Sequence, residues 1–198
     1  MSKIVKKMKV EDAQIFDAIE FAAKAHRGQH RKGSKLPYIT HPLNVANTLI
    51  KYGFDYEIVV AGLLHDVLED TDINFEDIEK TFSQYIADLV NACSETSESD
   101  TWEARKKHTI AHIKDDKEDV LSVECADKLD NIRAIKSDYL DCGETIWLRF
   151  NRPKIKQKWY YQALKDSFLS RNVKGKLKTL IDEFAKEVDE VFHDDNGC

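Results

Sequence analysis

AGLLHDVLED, residues 61–70, is an apolar helical run ending in four residues able to hold a metal ion or a proton: His65, Asp66, Glu69 and Asp70. A buried charge without a partner is costly, so polar groups crowded against an apolar face need partners elsewhere in the fold. Helix residues three or four apart share a face. His65 and Glu69 are four apart, Asp66 and Asp70 four, Asp66 and Glu69 three, so all four can look toward one patch. His65 and Asp66 are adjacent, and their side chains can still converge on one ion. The spacing predicts one apolar helix over residues 55–68.

Working outward, helical periodicity dominates. Ile15, Phe16, Ile19, Ala22 and Ala23 recur at three and four and predict a helix over 12–25. The loop HRGQHRKGSKLPY (26–38) is punctuated by Gly28, Gly33 and Pro37. Pro42 suits the first turn of a helix that runs to about Tyr52 and ends at Gly53. Asn74 is the cap signal of a short amphipathic helix, and another covers 83–94. After the polar connector SETSESDTW, helices are expected over 102–114 and 117–139, from about 155 after a break at Pro153, and over 174–192. The tail HDDNGC reads as frayed. No strand pattern, repeat or linker stands out. The expected architecture is all-α, one domain over residues 1–198, with roughly eight to ten helices.

A second polar cluster lies in VECADKLDNIRAI. Asp127 sits among the apolar-periodic Val123, Ala126, Leu129 and Ile132, with Asp130 and Asn131 one turn on. In PYITHPL, His41 directly precedes Pro42. Two imidazoles and two carboxylates form a mixed nitrogen–oxygen donor set, which suits Mn²⁺, Fe²⁺ or Zn²⁺. A mixed set with open positions is catalytic in style, and Glu69 and Asp70 beside it could position or deprotonate a water. A His-Asp dipeptide alone carries little information, and Asp66 with Asp70 could be a solvated face. The co-occurrence of His41, His65-Asp66 and Asp127 is what raises the metal reading.

Composition narrows the class. Of 198 residues, 42% are hydrophobic and 33% charged, ordinary for a globular protein. A net charge of −6, from 36 acidic and 30 basic residues, argues against a general nucleic-acid binder. The first residues show no apolar signal-peptide core, and no run is long and apolar enough for a membrane helix. Cys93, Cys125, Cys142 and Cys198 show no CxxC spacing, so they read as reduced thiols of a cytoplasmic protein. His108 and His112 are four apart but lack an acidic third ligand in their motif, and they read as surface or core histidines. His26 reads as packing or hydrogen bonding near the site. Trp102, Trp147 and Trp159 read as core.

The order H…HD…D resembles the HD-domain metal-dependent phosphohydrolases. More closely, HRGQHRKGSKLPYITHPLNVA, AGLLHDVLED and ADKLDNIRAI look like the hydrolase domain of the RelA/SpoT alarmone enzymes. TWEARKKHTIAHI and WLRFNRP…KWYYQAL look like its stand-alone bacterial members, the small alarmone hydrolases. The resemblance covers about residues 12–170. It implies one metal ion, usually Mn²⁺, held by His41, His65, Asp66 and Asp127. It implies hydrolysis of the 3′-pyrophosphate of (p)ppGpp to GDP or GTP and pyrophosphate. Glu69 and Asp70 then handle the attacking water, and Arg31, Lys32 and Asn131 contact the nucleotide. Tyr160 and Arg105-Lys106 match nucleotide contacts more loosely. Segment 149–158, with Arg149, Arg152, Lys154, Lys156 and Lys158, is either a phosphate clamp or a solvated face. One departure stands out: where the family usually has histidine, this chain has Asp130, expected to bring a carboxylate near an anionic substrate. A related hydrolase acting on another nucleotide such as NADPH, and a non-catalytic nucleotide sensor, are the alternative readings.

Overall fold

Helix α3 (Tyr56–Leu64) is the axis of the structure, a computed structural model that describes residues 10–94 and 101–193. Every residue from Ile58 to Leu64 is buried, because α3 packs against α1 (Val10–Ala25), α2 (Thr40–Lys51), α6 (Gln84–Cys93) and α8 (Glu118–Cys142) at once. A helix that is apolar all round is stable only when enclosed in this way. Gly62 sets how closely α2 and α3 cross: a Cβ added there would meet Leu49 Cδ1 at 2.6 Å.

The remaining α-helices are α4 (Val67–Asp70), α5 (Phe75–Thr81), α7 (Trp102–Asp115), α9 (Lys154–Leu169) and α10 (Gly175–Val191), with a 3₁₀ segment over Gly143–Arg149. Among the described residues there is no strand, only an isolated bridge between His30 and Pro37. The all-α expectation therefore holds. Most of the connector expected at 94–102, the tail after His193, and Cys198 lie outside the described residues.

Local signals account for the ends. Asn74 forms a capping box with Asp77, and Ser83 and Thr101 cap α6 and α7 with their hydroxyls, satisfying amide groups that a first turn leaves open. Gly53 follows α2 with φ of 72°, the left-handed conformation expected there. Helix α10 buries Leu177, Leu180, Ile181, Phe184 and Val188, each worth about 1.5–3 kcal/mol of burial. Arg133 and Lys136 of α8 pair with Glu183, Glu187 and Glu190 along the rim of that contact. Pairs so exposed add only about 0–1 kcal/mol each.

One expected element is corrected. The helix predicted over 55–68 stops at Leu64 and resumes at Val67. His65 keeps helical angles, but Asp66 opens to φ −94°, ψ −6°, outside the α-helical well. No glycine or proline announces this break. It turns the side chains of two adjacent residues toward one point.

Candidate metal centre

Three chain segments meet at the break. His41 comes from the first turn of α2, His65 and Asp66 from the interruption between α3 and α4, and Asp127 from the middle of α8. His41, His65 and Asp127 are buried, and each offers a ligand atom within 4.8 Å of the other two. His41 Nε2 lies 3.1 Å from Asp127 Oδ1 and 3.5 Å from Asp66 Oδ2. His65 Nε2 lies 3.1 Å from Asp66 Oδ2 and 3.8 Å from Asp127 Oδ1. Ligand atoms about 2.0–2.2 Å from a shared ion stand roughly 3.0–3.6 Å apart, so the spacing fits a coordination shell.

Hydrogen bonding supports the same assignment. His65 Nδ1 lies 2.9 Å from the Gly62 carbonyl oxygen. A carbonyl only accepts, so Nδ1 carries the proton and Nε2 presents its lone pair. That Nε2 is buried and has no hydrogen-bond partner among the described residues, an orphan atom that a cation would satisfy. His41 Nδ1 meets Asp130 Oδ2 at 2.6 Å. The donor set and its geometry fit a divalent metal ion.

Electrostatics show how much charge the site is built to hold. Burial opposes protonation of His65, but Asp66 and Asp127 outweigh it and raise its pKa well above the usual value. His41 is raised in the same way, by Asp127 and Asp130 against burial. Burial also disfavours charge on Asp66 and Asp127, yet His65 holds Asp66 low, and Lys128 with the two histidines holds Asp127 well below the usual range. Two buried imidazoles competing for protons beside two anions form a cation site.

Sequence reasoning missed several supporting residues. Tyr38 donates its hydroxyl to Asp66 Oδ2 at 2.6 Å, and its ring packs between His26 and His41. Its signal was its place in PYITH, three residues before a ligand. Lys128 Nζ pairs with Asp127 Oδ2 at 2.5 Å, while Asn131, already singled out from the sequence, donates Nδ2 to Asp127 Oδ1 at 2.6 Å. Glu124 is buried in the same cavity wall, its carboxyl pushed up to about 7 by burial, and nothing in the local sequence marked it.

Two cavities flank the centre. One, of about 410 Å³, contains the metal-ligand side chains together with Glu69, Lys106, His108 and His112. The other, of about 740 Å³, is lined by Lys32, Asn44, Asp130, Phe150 and Tyr161 among others. Arg31 and Asn131 line both, and Arg31 Nη1 donates to Asn131 Oδ1 at 3.3 Å. The loop that carries Arg31 folds back on itself, with Arg31 N bonded to Leu36 O and Tyr38 N to Gln29 O. Gln29 Nε2 then ties it to the Asp70 carbonyl at 2.6 Å.

The remaining candidates fall in different places. Glu69 and Asp70 are exposed at the end of α4; burial and the Asp66 charge raise the pKa of Asp70. Tyr160 lines neither cavity: it is buried against Trp102 and Tyr161, with Lys106 Nζ 5.2 Å from its ring centre. His26 bonds to Gln29 and takes no part in the ligand cluster. His108 and His112 are exposed, their rings 4.1 Å apart and tilted at 48°, on the wall of the metal cavity. In segment 149–158, Arg149, Arg152, Lys154 and Lys156 each pair with Asp138, Glu103 or Glu144, and none lines either cavity. This favours the solvated-face reading.

An all-helical fold that brings two histidines and two aspartates from three segments to one buried point defines a metal-binding HD-type protein. The family model described as "HD domain" matches residues 18–146, and the chain belongs to that family. It is 38% identical over 132 residues to guanosine-3′,5′-bis(diphosphate) 3′-pyrophosphohydrolase MESH1 of Xenopus tropicalis, covering 65% of this chain and 73% of that one. It is also 38% identical over 126 residues to guanosine-3′,5′-bis(diphosphate) 3′-pyrophosphohydrolase of Aquifex aeolicus, covering 62% of this chain but only 18% of that longer protein. The chain thus spans less than a fifth of such long relatives. Among solved structures it resembles lmo0812 of Listeria monocytogenes EGD-e, with TM-score 0.72 and 38% identity over 78% of this chain and 99% of that one. It also resembles a metazoan orthologue of SpoT that hydrolyses ppGpp, with TM-score 0.70 and 27% identity over 91% and 94%.

Proposed function

We propose that this chain is a cytoplasmic, Mn²⁺-dependent hydrolase that removes the 3′-pyrophosphate of (p)ppGpp, giving GDP or GTP and pyrophosphate. The observation that carries this is the cluster of buried His41, His65 and Asp127 with Asp66, beside two cavities that share Arg31 and Asn131 in their walls. A substrate with a reactive phosphate group on one side and a nucleoside on the other needs such a pair of spaces. The relatives named above as pyrophosphohydrolases of this nucleotide support the same substrate.

A divalent ion held by the four ligands supplies Lewis acidity at phosphorus and makes water a stronger acid. The chain's own groups do the rest. Glu69 faces the metal cavity, and Asp70 stands beside it with a raised pKa. A carboxylate closer to neutrality is a better proton acceptor at working pH, so this pair takes the proton of the attacking water. Arg31, in the wall of both cavities, offers a planar fork for a phosphate, and Lys32 adds a point charge on the nucleoside side. Asn131 is held by Asp127 and orients the ribose edge. Tyr160 acts through Lys106, whose ammonium it faces.

The test is a nucleotide panel with Mn²⁺-loaded protein. Pyrophosphate release from ppGpp, lost in Asp66→Ala and in Glu69→Gln, is the expected result. Intact ppGpp together with phosphate release from NADPH would overturn the substrate assignment. Nucleotide binding without turnover of any member of the panel would make the chain a sensor.

A further inference from the structure

Asp130 lies on α8 three residues past Asp127, and the partners of its carboxylate all come from outside that helix. Oδ2 stands 2.6 Å from His41 Nδ1 and accepts from Arg31 Nη2 at 3.2 Å; Oδ1 accepts from Asn44 Nδ2 at 3.0 Å. The residue is 9% exposed. The carboxylate expected from the sequence to confront an anionic substrate therefore has both oxygens engaged by the protein.

We propose that Asp130 is a positioning residue for the metal centre. It holds the His41 ring with the proton on Nδ1 and the lone pair of Nε2 turned toward Asp66 and Asp127. It also anchors Arg31, which lines both cavities. The inference rests on the metal-centre reading above, but not on the identity of the substrate.

The comparison with His65 shows why a side chain is needed. The Nδ1 of His65 is fixed by the carbonyl of Gly62, a backbone group that no substitution deletes. His41 sits in the first turn of α2, and among the described residues its Nδ1 is hydrogen-bonded only to Asp130. Without that acceptor the neutral ring is free to carry its proton on Nε2, which closes the position a metal ion needs. Partners that orient a ligating histidine are worth about 10–100-fold in metal affinity when removed. Asn44 steadies the carboxylate from the next turn of α2, so Asp130 also fixes the distance between α2 and α8 at the ligand level. Arg31 completes the arrangement, which links the metal side of the wall to the nucleoside side through one carboxylate.

The experiment is a Mn²⁺ titration of metal-free protein, followed by the EPR signal of free Mn²⁺ and run without nucleotide. Asp130→Ala is expected to bind Mn²⁺ about 10–100-fold more weakly, and Asp130→Asn, which keeps an oxygen able to accept from Nδ1, less than about tenfold more weakly. Circular dichroism checks that both are folded. Long-range ¹H–¹⁵N spectra of ¹⁵N-histidine protein give a second readout. In Zn²⁺-loaded wild type, His41 carries its proton on Nδ1; in metal-free Asp130→Ala at alkaline pH its ring becomes a mixture of tautomers while His65 is unchanged. Folded Asp130→Ala with wild-type Mn²⁺ affinity and a single Nδ1–H tautomer would overturn the proposal. A wild-type His41 protonated on Nε2 would overturn it too, even if no variant folds. Failure to hydrolyse any nucleotide would count against the function above and leave this result standing.

Discussion

Gly62→Ala tests whether packing between α2 and α3 holds the metal ligands together. The added Cβ would lie 2.6 Å from Leu49 Cδ1 and 3.3 Å from Val45 Cγ1. Both neighbours are fully buried, so neither can swing into solvent. Helix propensity alone favours alanine in the middle of α3 by about 1 kcal/mol. Overpacking a rigid core costs about 1–3 kcal/mol, and a contact more than about 0.9 Å inside the carbon–carbon optimum belongs at the upper end of that range. The net is a loss of about 1–2 kcal/mol, which lowers Tm by about 2–8 °C in a chain of this size. There is a second effect, because the Gly62 carbonyl orients His65 while His41 rides on α2. Pushing the helices apart separates the two Nε2 atoms, so Mn²⁺ affinity falls with stability. Thermal unfolding in EDTA measures the first effect and Mn²⁺ titration the second. Adding Leu49→Val removes the clashing atom, so the double variant should lose less stability than the two single variants summed. A Tm equal to or above wild type in Gly62→Ala would refute the packing argument.

Lys128→Met removes the cation beside Asp127 and is expected to cost metal-free protein up to about 3–5 kcal/mol. The loss should shrink when Mn²⁺ is present to compensate the same carboxylate, which Tm with and without the ion measures. In metal-free protein the raised pKa of His65 contributes stability that is complete below the unfolded value of about 6.5 and is lost as pH rises through the folded value. Metal binding needs the unprotonated ring, so the Mn²⁺-induced rise in Tm should grow over the same pH window while Tm in EDTA declines. Glu69→Gln should reduce kcat by about 10²–10⁴-fold and leave Mn²⁺ affinity close to wild type, as kinetics and titration together will show.

Much of the scaffold was legible because helices of this kind advertise themselves. The period of α10, the Asn74 cap and Gly53 are local signals with local causes, and the structure places helices where they predict. His41, His65 and Asp127 were legible as polar residues on otherwise apolar faces, which fold only if they meet. The interruption at Asp66 was not, because no breaker residue marks it. Glu124 and Lys128 were not singled out from the sequence, and only the fold places them in the wall of the metal cavity. Tyr160 came only from the looser part of the resemblance, and its packing against Trp102 and Tyr161 had no local signal in the sequence. Asp130 looked like a liability because spacing along α8 says nothing about which residue of α2 lies across from it.

The break in the helix at Asp66 also limits how this protein can be improved. Replacements that favour uninterrupted helix from α3 into α4 would strengthen the scaffold by closing a weak joint. They would also swing the Asp66 carboxylate away from His65, about 100° around the axis per residue of regular helix. A thermostability screen blind to activity would therefore select against the site at this joint, and its most heat-resistant winners would be poor metal binders. The joint is a place where robustness and chemistry draw on the same few dihedral angles.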